Sequence, residues 1–375
     1  MVAQLVSLLA LRHEVALLCL RFPDEPPVDE VLKERCEVVE EVHRPLLARS
    51  PWSLWKERRR IQLFLDGAPS WVVGCSVADF RTRLGSLARG WRPDVVQIEY
   101  AVMGQYAQAL DGIPLKRILV DLDVIGPEAY RGRQSGRRPR RHRIDGWARY
   151  RASIMGHVDA VVVLTERDEA AIRSLTGGTR IARIPLAVEP PPAPLDPLGR
   201  PPPSLLFVGS YSHPPNVEAA SRLVSGILPR LRERHPELVL HLVGENPPAG
   251  LTGDGVVVTG RVSDVTPYLD AAAVVAAPLA SGGGMRVKVL EALAAGKALV
   301  ASARAIEGLD LLSGEQVIVA ESDGEFADAI STLLADDGAR AALAGRARAW
   351  AVASLAAEES ARAYEALYDS LDRAI

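Results

Sequence analysis

An α/β fold made of two Rossmann-like halves follows from three observations. Short apolar runs alternate with helical patterns, one proline-dense stretch interrupts them, and the same alternation then restarts. In the first half, Val15–Leu20, Glu37–Val42, Val95–Ile98, Ile118–Val120 and Ala160–Leu164 read as strands. Between them Trp52–Phe64, Val77–Ala88 and Ile144–Met155 read as helices. Strands that alternate with helices argue for a parallel sheet covered on both faces. Val188–Ser204 then holds eight prolines in seventeen residues. Such a segment forms neither a helix nor a central strand and tends to be extended and semi-rigid, which makes it the best domain boundary.

The second half repeats the pattern. Leu205–Val208 is a strand ending in Gly209, Asn216–Glu233 is helical, and Val239–Val243 is a strand ending in Gly244. Val256–Val258 follows as a strand and Thr266–Asp270 as a short helix. Ala271–Ala277 reads as a strand, Ser281–Gly284 as a glycine turn, and the next helix carries Arg286, Lys288 and Glu291 until Gly296 ends it. Ala298–Ala301 is one more apolar strand, and the helix Glu358–Leu371 closes the chain. The expected division is an N-terminal domain over 1–188, a linker over 189–204, a C-terminal domain over 205–355 and a final helix over 356–375. There is no short-period repeat.

At 375 residues, two domains are expected rather than one. With 48% apolar and 24% charged residues the composition is that of an ordinary globular protein. A net charge of −3 argues against a general nucleic-acid-binding role. Cys19, Cys36 and Cys75 have no C-x-x-C spacing, so neither a disulfide framework nor a zinc site is expected, and a cytoplasmic chain with packed thiols is. The apolar run Ala271–Ala280 is about half the length of a membrane span and contains Pro278. Met1–Leu11 lacks the positive start of a signal peptide. It reads as the tail of an amphipathic helix before Val15–Leu20, with the usual first strand and glycine loop absent.

The glycine turn and the helix after it form a cradle for a phosphate group. Glycines allow close backbone approach, and unpaired N–H groups at a helix start attract negative charge. Cations are electrostatically disfavoured there, so Arg286 and Lys288 point to an anion between them and the helix. Val287, Leu290, Glu291 and Ala294 fall at helical spacing, which places the Glu291 carboxylate in an apolar stripe where it needs a ligand or a fixed partner.

The string SGGGMRVKVLEALAAGKALVAS resembles the donor-site signature of family 4 glycosyltransferases, which have the GT-B fold: two Rossmann-like domains with a cleft between them. FVGSYSHPPN and VTGRVSDVTPYLDAA stand in the order and spacing of that family, so the resemblance covers at least Ser204–Leu312. RPDVVQIEY and VDAVVVLTERDEAAI extend it more loosely into the first half. The resemblance implies a retaining, metal-independent transferase of hexosyl type that needs no cofactor and takes a UDP- or GDP-linked sugar as co-substrate. It implies that Glu291 binds the ribose and that Gly283, Gly284, Met285, Arg286 and Lys288 surround the diphosphate. Many members place a second Glu eight positions before the first, on the transferred sugar; here that position is Gly283. A subgroup with x-Arg-x-Lys after its glycine loop fits Arg286 and Lys288 better. The resemblance also implies that the last helix crosses back onto the first domain. The loop that relatives use to align acceptor and donor would precede Met1–Leu11, so slow transfer is expected of this chain.

Other positions stay open. Gly209 and Ser210–His213 lie at a strand end, where α/β sheets place ligands, and Ser210 is a candidate donor contact. Arg261 and Val262 match the part of the family near the nucleobase, with an ordinary turn as the alternative for the Arg261 side chain. Asp121-Leu122-Asp123 could hold a metal under a diphosphate, but no metal is expected in a GT-B protein. Asp123 is instead a candidate for the polar position facing the reacting sugar, and Glu99 ends its own strand in a similar position. Arg131–Arg143 holds seven arginines in thirteen residues. It reads as a solvated loop or as an anion-binding edge facing the acceptor, whether an acidic membrane surface, peripheral at the inner face, or a lipid diphosphate; no aromatic is interleaved for nucleic acid. The acceptor class stays open among a glycan, a lipid-linked sugar and a small natural product. Two rival functions remain: a non-catalytic nucleotide-sugar-binding paralogue, and a nucleotide-sugar epimerase on the same fold.

Overall fold

The computed structural model describes residues 2–23, 25–44, 58–122, 124, 141–282 and 286–372. Those residues fall into two compact units, one drawn from Met1–Gly132, Arg138–Ala187 and Ala357–Ile375, the other from Val188–Ala356.

In the first unit β1 (Ala16–Arg21) pairs with β2 (Val38–His43). A separate sheet runs in the order β3 (Val95–Glu99), β4 (Lys116–Val120), β5 (Ala160–Val163), β6 (Arg180–Arg183). All of these pairings are parallel. The apolar runs form strands because both faces are covered: every residue of β5 is fully buried, as are Ile118 and Leu119 of β4. Helix Arg141–Met155 supplies Trp147, Tyr150 and Ile154 to this core. β1 and β2 pack through Leu18, Leu20 and Val42 against Phe80 and Tyr106. The Tyr106 hydroxyl accepts from the Val77 N–H at 2.8 Å and donates to the Cys75 carbonyl at 2.6 Å, which ties the 3₁₀ helix Ala101–Leu110 to the entry of helix Ala78–Trp91. The last helix, Ala357–Asp372, buries Ala361, Tyr364, Leu367 and Leu371 within this unit. Its Glu358 and Glu365 receive Arg12, just after the opening helix Val2–Leu9.

The second unit is one six-stranded parallel sheet. Its order is β12 (Ile318–Val319), β11 (Leu299–Ala301), β10 (Val274–Ala277), β7 (Ser204–Val208), β8 (Val239–Val243), β9 (Val256–Gly260). β7 lies between β8 and β10, so the chain turns one way from β7 to β8 and later returns on its other side. That reversal is a topological switch point, where the carboxyl ends of two neighbouring strands splay their loops apart and ligands usually bind.

The proline-dense segment does not hang between the units. It belongs to the second and is pinned along its length. Leu195 N–H donates to Ala295 at 3.0 Å and Arg200 N–H to Ala271 at 2.9 Å. Arg348 donates to the Pro191 carbonyl at 2.6 Å, and the fully buried Lys297 donates to the Asp196 and Asp270 carbonyls. Proline-rich backbone offers carbonyls but few N–H groups, and these cations use the carbonyls.

Several elements differ from the expectation. Thr266–Ala271 stays helical, so the strand expected from Ala271 starts at Val274. The strands Arg180–Arg183 and Ile318–Val319 and the helices Asp323–Ala335 and Asp337–Ser354 were not foreseen. Trp52–Phe64 is helical from Arg58, and its first six residues lie outside the described ones. The same holds for residues 131–140 of the arginine run, while Arg141 opens a helix. Among the described residues no helix is long and apolar enough to cross a membrane.

Candidate functional site

The loops after β7 and β10 converge at the switch point of the second unit. Gly209 follows β7, and its N–H donates to Val243 at 2.9 Å. A Cβ at Gly209 would stand 2.8 Å from Asn216 Cγ and 3.0 Å from Lys288 Nζ, so only glycine leaves both side chains in place. Asn216 sits in the first turn of helix Pro214–Arg222, whose two opening prolines have the fixed φ that suits a helix start. Its Nδ2 donates to the Ser210 carbonyl at 2.8 Å, which leaves Oδ1 to receive Lys288 Nζ.

The helix Val287–Ala294 carries Lys288 and Glu291. It ends in a Schellman motif at Gly296 (φ +73°): Lys297 N–H reaches Ala292 and Gly296 N–H reaches Leu293, each at 3.0 Å. The buried face is Val289, Leu290, Ala292, Leu293 and Ala294. Glu291 is therefore not in the apolar stripe as expected; it shares a half-buried edge with Val287 and Lys288. Lys288 and Glu291 are three apart and lie on one face.

Burial dominates the electrostatics. The Lys288 ammonium lies 4.4 Å from the centre of the buried Phe207 ring. Burial, reinforced by nearby Arg286 and opposed by Glu291, pulls its pKa down to about 7. Burial raises the Glu291 pKa, with Lys288 opposing. Among the described residues the Glu291 carboxylate has no hydrogen-bond partner. His213 is pulled down by burial and then by Lys288. Arg286, 9% exposed, reaches Glu307 at 3.2 Å, and Glu307 also receives Arg304 at 2.6 Å. Ser281 donates to Glu218 at 2.8 Å, joining the loop after β10 to the helix after β7. Gly282 (φ +112°) runs against Pro215.

The structure thus brings Gly209, Ser210, Arg286, Lys288 and Glu291 to the loops around one switch point. Gly283, Gly284 and Met285 lie outside the described residues, as does Asp123. Ser210 donates to Glu245 at 3.0 Å, and the exposed Arg261 comes no closer than 4.0 Å to the same carboxylate. Val262 follows, half-buried. Asp121 is buried and held by Arg151 at 2.6 and 3.2 Å, so its carboxylate already has a charged partner inside the fold. Glu99 belongs to the first unit, where burial raises its pKa and Gln97 donates to it at 2.5 Å. Among the described residues no three His, Cys, Asp or Glu side chains are grouped to hold a metal. Sequence reasoning missed Asn216, Glu218 and Glu307. Only Asn216 left a signal, an amide just after two prolines at a helix start.

Residues 202–336 match the model of the family described as Glycosyl transferases group 1. Solved structures resemble the whole chain. Sucrose-phosphate synthase from Thermosynechococcus elongatus superposes with a TM-score of 0.69 at 18% identity, covering 100% of this chain and 93% of that one. The fold is GT-B. HepE from Anabaena, solved with UDP and glucose, gives 0.64 at 13% identity over 95% of this chain and 100% of its own. A glycosyltransferase from Rickettsia africae gives 0.64 at 10% identity over 100% and 94%. No curated protein sequence matches the chain. The family match and the fold together support a glycosyltransferase, with two Rossmann-like domains of mixed α/β structure.

Proposed function

We propose that the chain transfers a sugar, of hexosyl type, from a UDP- or GDP-linked donor to an acceptor, with retention of configuration and without a metal. One observation carries this reading most strongly: a glycine-gated lysine and a carboxylate with no hydrogen-bond partner among the described residues stand three residues apart on the helix entering the switch point. The fold neighbour HepE, solved with UDP and with UDP-glucose, favours a nucleotide-sugar donor.

In this reading Glu291 accepts both ribose hydroxyls, since two vicinal donors suit a bidentate carboxylate. Lys288 and Arg286 receive the diphosphate, whose charge grows as the sugar departs. The Gly283-Gly284-Met285 turn lets the backbone approach that group. Ser210 and the Gly260-Arg261-Val262 turn lie toward the base and the sugar. The first unit takes the acceptor, a glycan, a lipid-linked sugar or a small natural product, with Asp123 on the reacting side. The seven arginines in the sequence Arg131–Arg143 supply positive charge that would suit an acidic membrane surface.

The test is incubation of the purified chain with a panel of UDP- and GDP-sugars together with glycan, lipid-linked and small-molecule acceptors, followed by mass spectrometry for released nucleoside diphosphate. Release from one donor is the expected result. Tight binding with no release from any donor identifies a non-catalytic binder. An isomerised sugar still attached to nucleotide identifies an epimerase.

A further inference from the structure

Among the described residues ten large apolar side chains are exposed, and four of them, Ile61, Phe64, Leu65 and Trp71, lie close together in the first unit. Leu65 and Phe64, 76% and 71% exposed, are the two most exposed of the ten. Single exposed apolar residues are ordinary, whereas a cluster marks a surface that meets something else.

Local structure holds these side chains outward. Ile61, Phe64 and Leu65 fall at i, i+3 and i+4 on helix Arg58–Leu65, so they share one stripe. Leu63 is the residue this helix buries, in the core that also holds Trp147 and Tyr150. The helix ends in a Schellman motif at Gly67 (φ +71°): Ala68 N–H reaches the Leu63 carbonyl at 2.9 Å and Gly67 N–H the Phe64 carbonyl at 3.1 Å. Helix Ser70–Gly74 follows at once, anchored by the fully buried Val72, whose carbonyl accepts from Gln105 Nε2 at 3.0 Å. With Val72 turned inward its neighbour Trp71 faces out, 45% exposed. The corner presents its apolar groups from a fixed backbone, not from a fraying end.

Charge selects the partner. The whole chain carries −3, yet from Arg44 to Gly74 it has six basic residues against two acidic ones, Glu57 and Asp66. Arg58, Arg59 and Arg60 open the first helix, and Arg44 Nη2 lies 3.3 Å from the place a Cβ at Gly74 would take. Positive charge therefore flanks both ends of the corner. A second copy of the chain on a two-fold axis would set this patch against itself, where like charges repel. An anionic bilayer suits both features: its phosphates attract the arginines, and Phe, Leu and Trp settle at headgroup depth.

We propose that the corner of helices Arg58–Leu65 and Ser70–Gly74 docks on an anionic lipid bilayer, with Ile61, Phe64, Leu65 and Trp71 entering the headgroup layer. The surface shares no residue with Arg131–Arg143 and does not rest on the function proposed for the loops around Lys288.

Flotation of the full chain with vesicles of phosphatidylcholine alone, and of an equal mixture with phosphatidylglycerol, tests it. The chain should float with the mixed vesicles and roughly tenfold less with the neutral ones. Phe64→Ser combined with Leu65→Ser should weaken binding to the mixed vesicles by roughly tenfold or more, at an unchanged melting temperature because both side chains are exposed. No flotation with the mixed vesicles overturns the proposal. Undiminished flotation of the double variant does so too, since charge elsewhere would then hold the chain. Equal flotation with both vesicles overturns the choice of an anionic lipid. Sedimentation velocity without lipid covers the remaining occupant: a concentration-dependent dimer that the double variant loses would assign the corner to a second copy and overturn the proposal.

Discussion

Lys288 is the residue whose chemistry depends most on its surroundings. Enclosed over Phe207 and hydrogen-bonded to Asn216, it loses its proton near pH 7. A bound diphosphate would favour the charged form and raise that pKa. Nucleotide binding should then take up close to one proton at pH 8, and affinity should fall roughly tenfold per pH unit above about 7. Titration at pH 8 in buffers of different ionisation enthalpy measures the uptake. Lys288→Met should abolish it, and a proton count near zero in the unaltered chain would place Lys288 away from the ligand. The sign for folding runs the same way. The unfolded chain holds the proton up to about 10.5 and the folded chain only to about 7, so the burden of burying this amine eases as pH rises between them. Residue types and spacing made Arg286, Lys288 and Glu291 legible in the sequence. The partners of the two cations were not, because Asn216 lies 72 positions from Lys288 and Glu307 lies 21 from Arg286.

At the level of elements, the two glycines that end β7 and β8 do different work. A Cβ at Gly209 would press on side-chain atoms of Asn216 and Lys288, which can move. One at Gly244 would stand 2.0 Å from the backbone oxygen of Gly209, at a φ of +147°. Gly244→Ala should therefore cost about 1–3 kcal/mol of stability or more, as overpacking does. Gly209→Ala should melt within a few degrees of the parent yet bind nucleotide roughly tenfold less tightly, by displacing Lys288, a shift of about 1.4 kcal/mol. Melting curves and titrations of both variants check this, and an unchanged affinity in Gly209→Ala would detach the β7 end from the site. Ten of the twelve strands among the described residues were legible as short apolar runs, most plainly those buried on both faces, such as Ala160–Val163, Val274–Ala277 and Leu299–Ala301. The other two are edge strands: Arg180–Arg183 is bounded by charges, and Ile318–Val319 is only two residues long within the short apolar run Val317–Ala320.

For the molecule as a whole, the boundary was legible from composition, but the role of the boundary segment was not. Eight prolines announce an extended chain; they do not say what it lies against. Its contacts with Lys297, Arg340 and Arg348 make it structural cover for the second unit. The fragment 188–356 should fold and bind nucleotide. The fragment 205–356 should not, because it leaves the buried Lys297 ammonium without the Asp196 carbonyl, a loss of about 3 kcal/mol or more. Circular dichroism of the two fragments compares them, and an equally stable 205–356 would show the segment to be dispensable.

The central claim is that the switch point of the second unit holds a nucleotide sugar through Glu291. Calorimetric titration of UDP- and GDP-sugars into the parent chain and into Glu291→Ala, with melting curves as the control, tests it most directly. The expected result is one tightly bound donor and a loss of about 2–3 kcal/mol in the variant at unchanged stability, the range for a hydrogen bond to a charged group. Full donor affinity in Glu291→Ala, or no nucleotide-sugar binding by the parent chain, would contradict it.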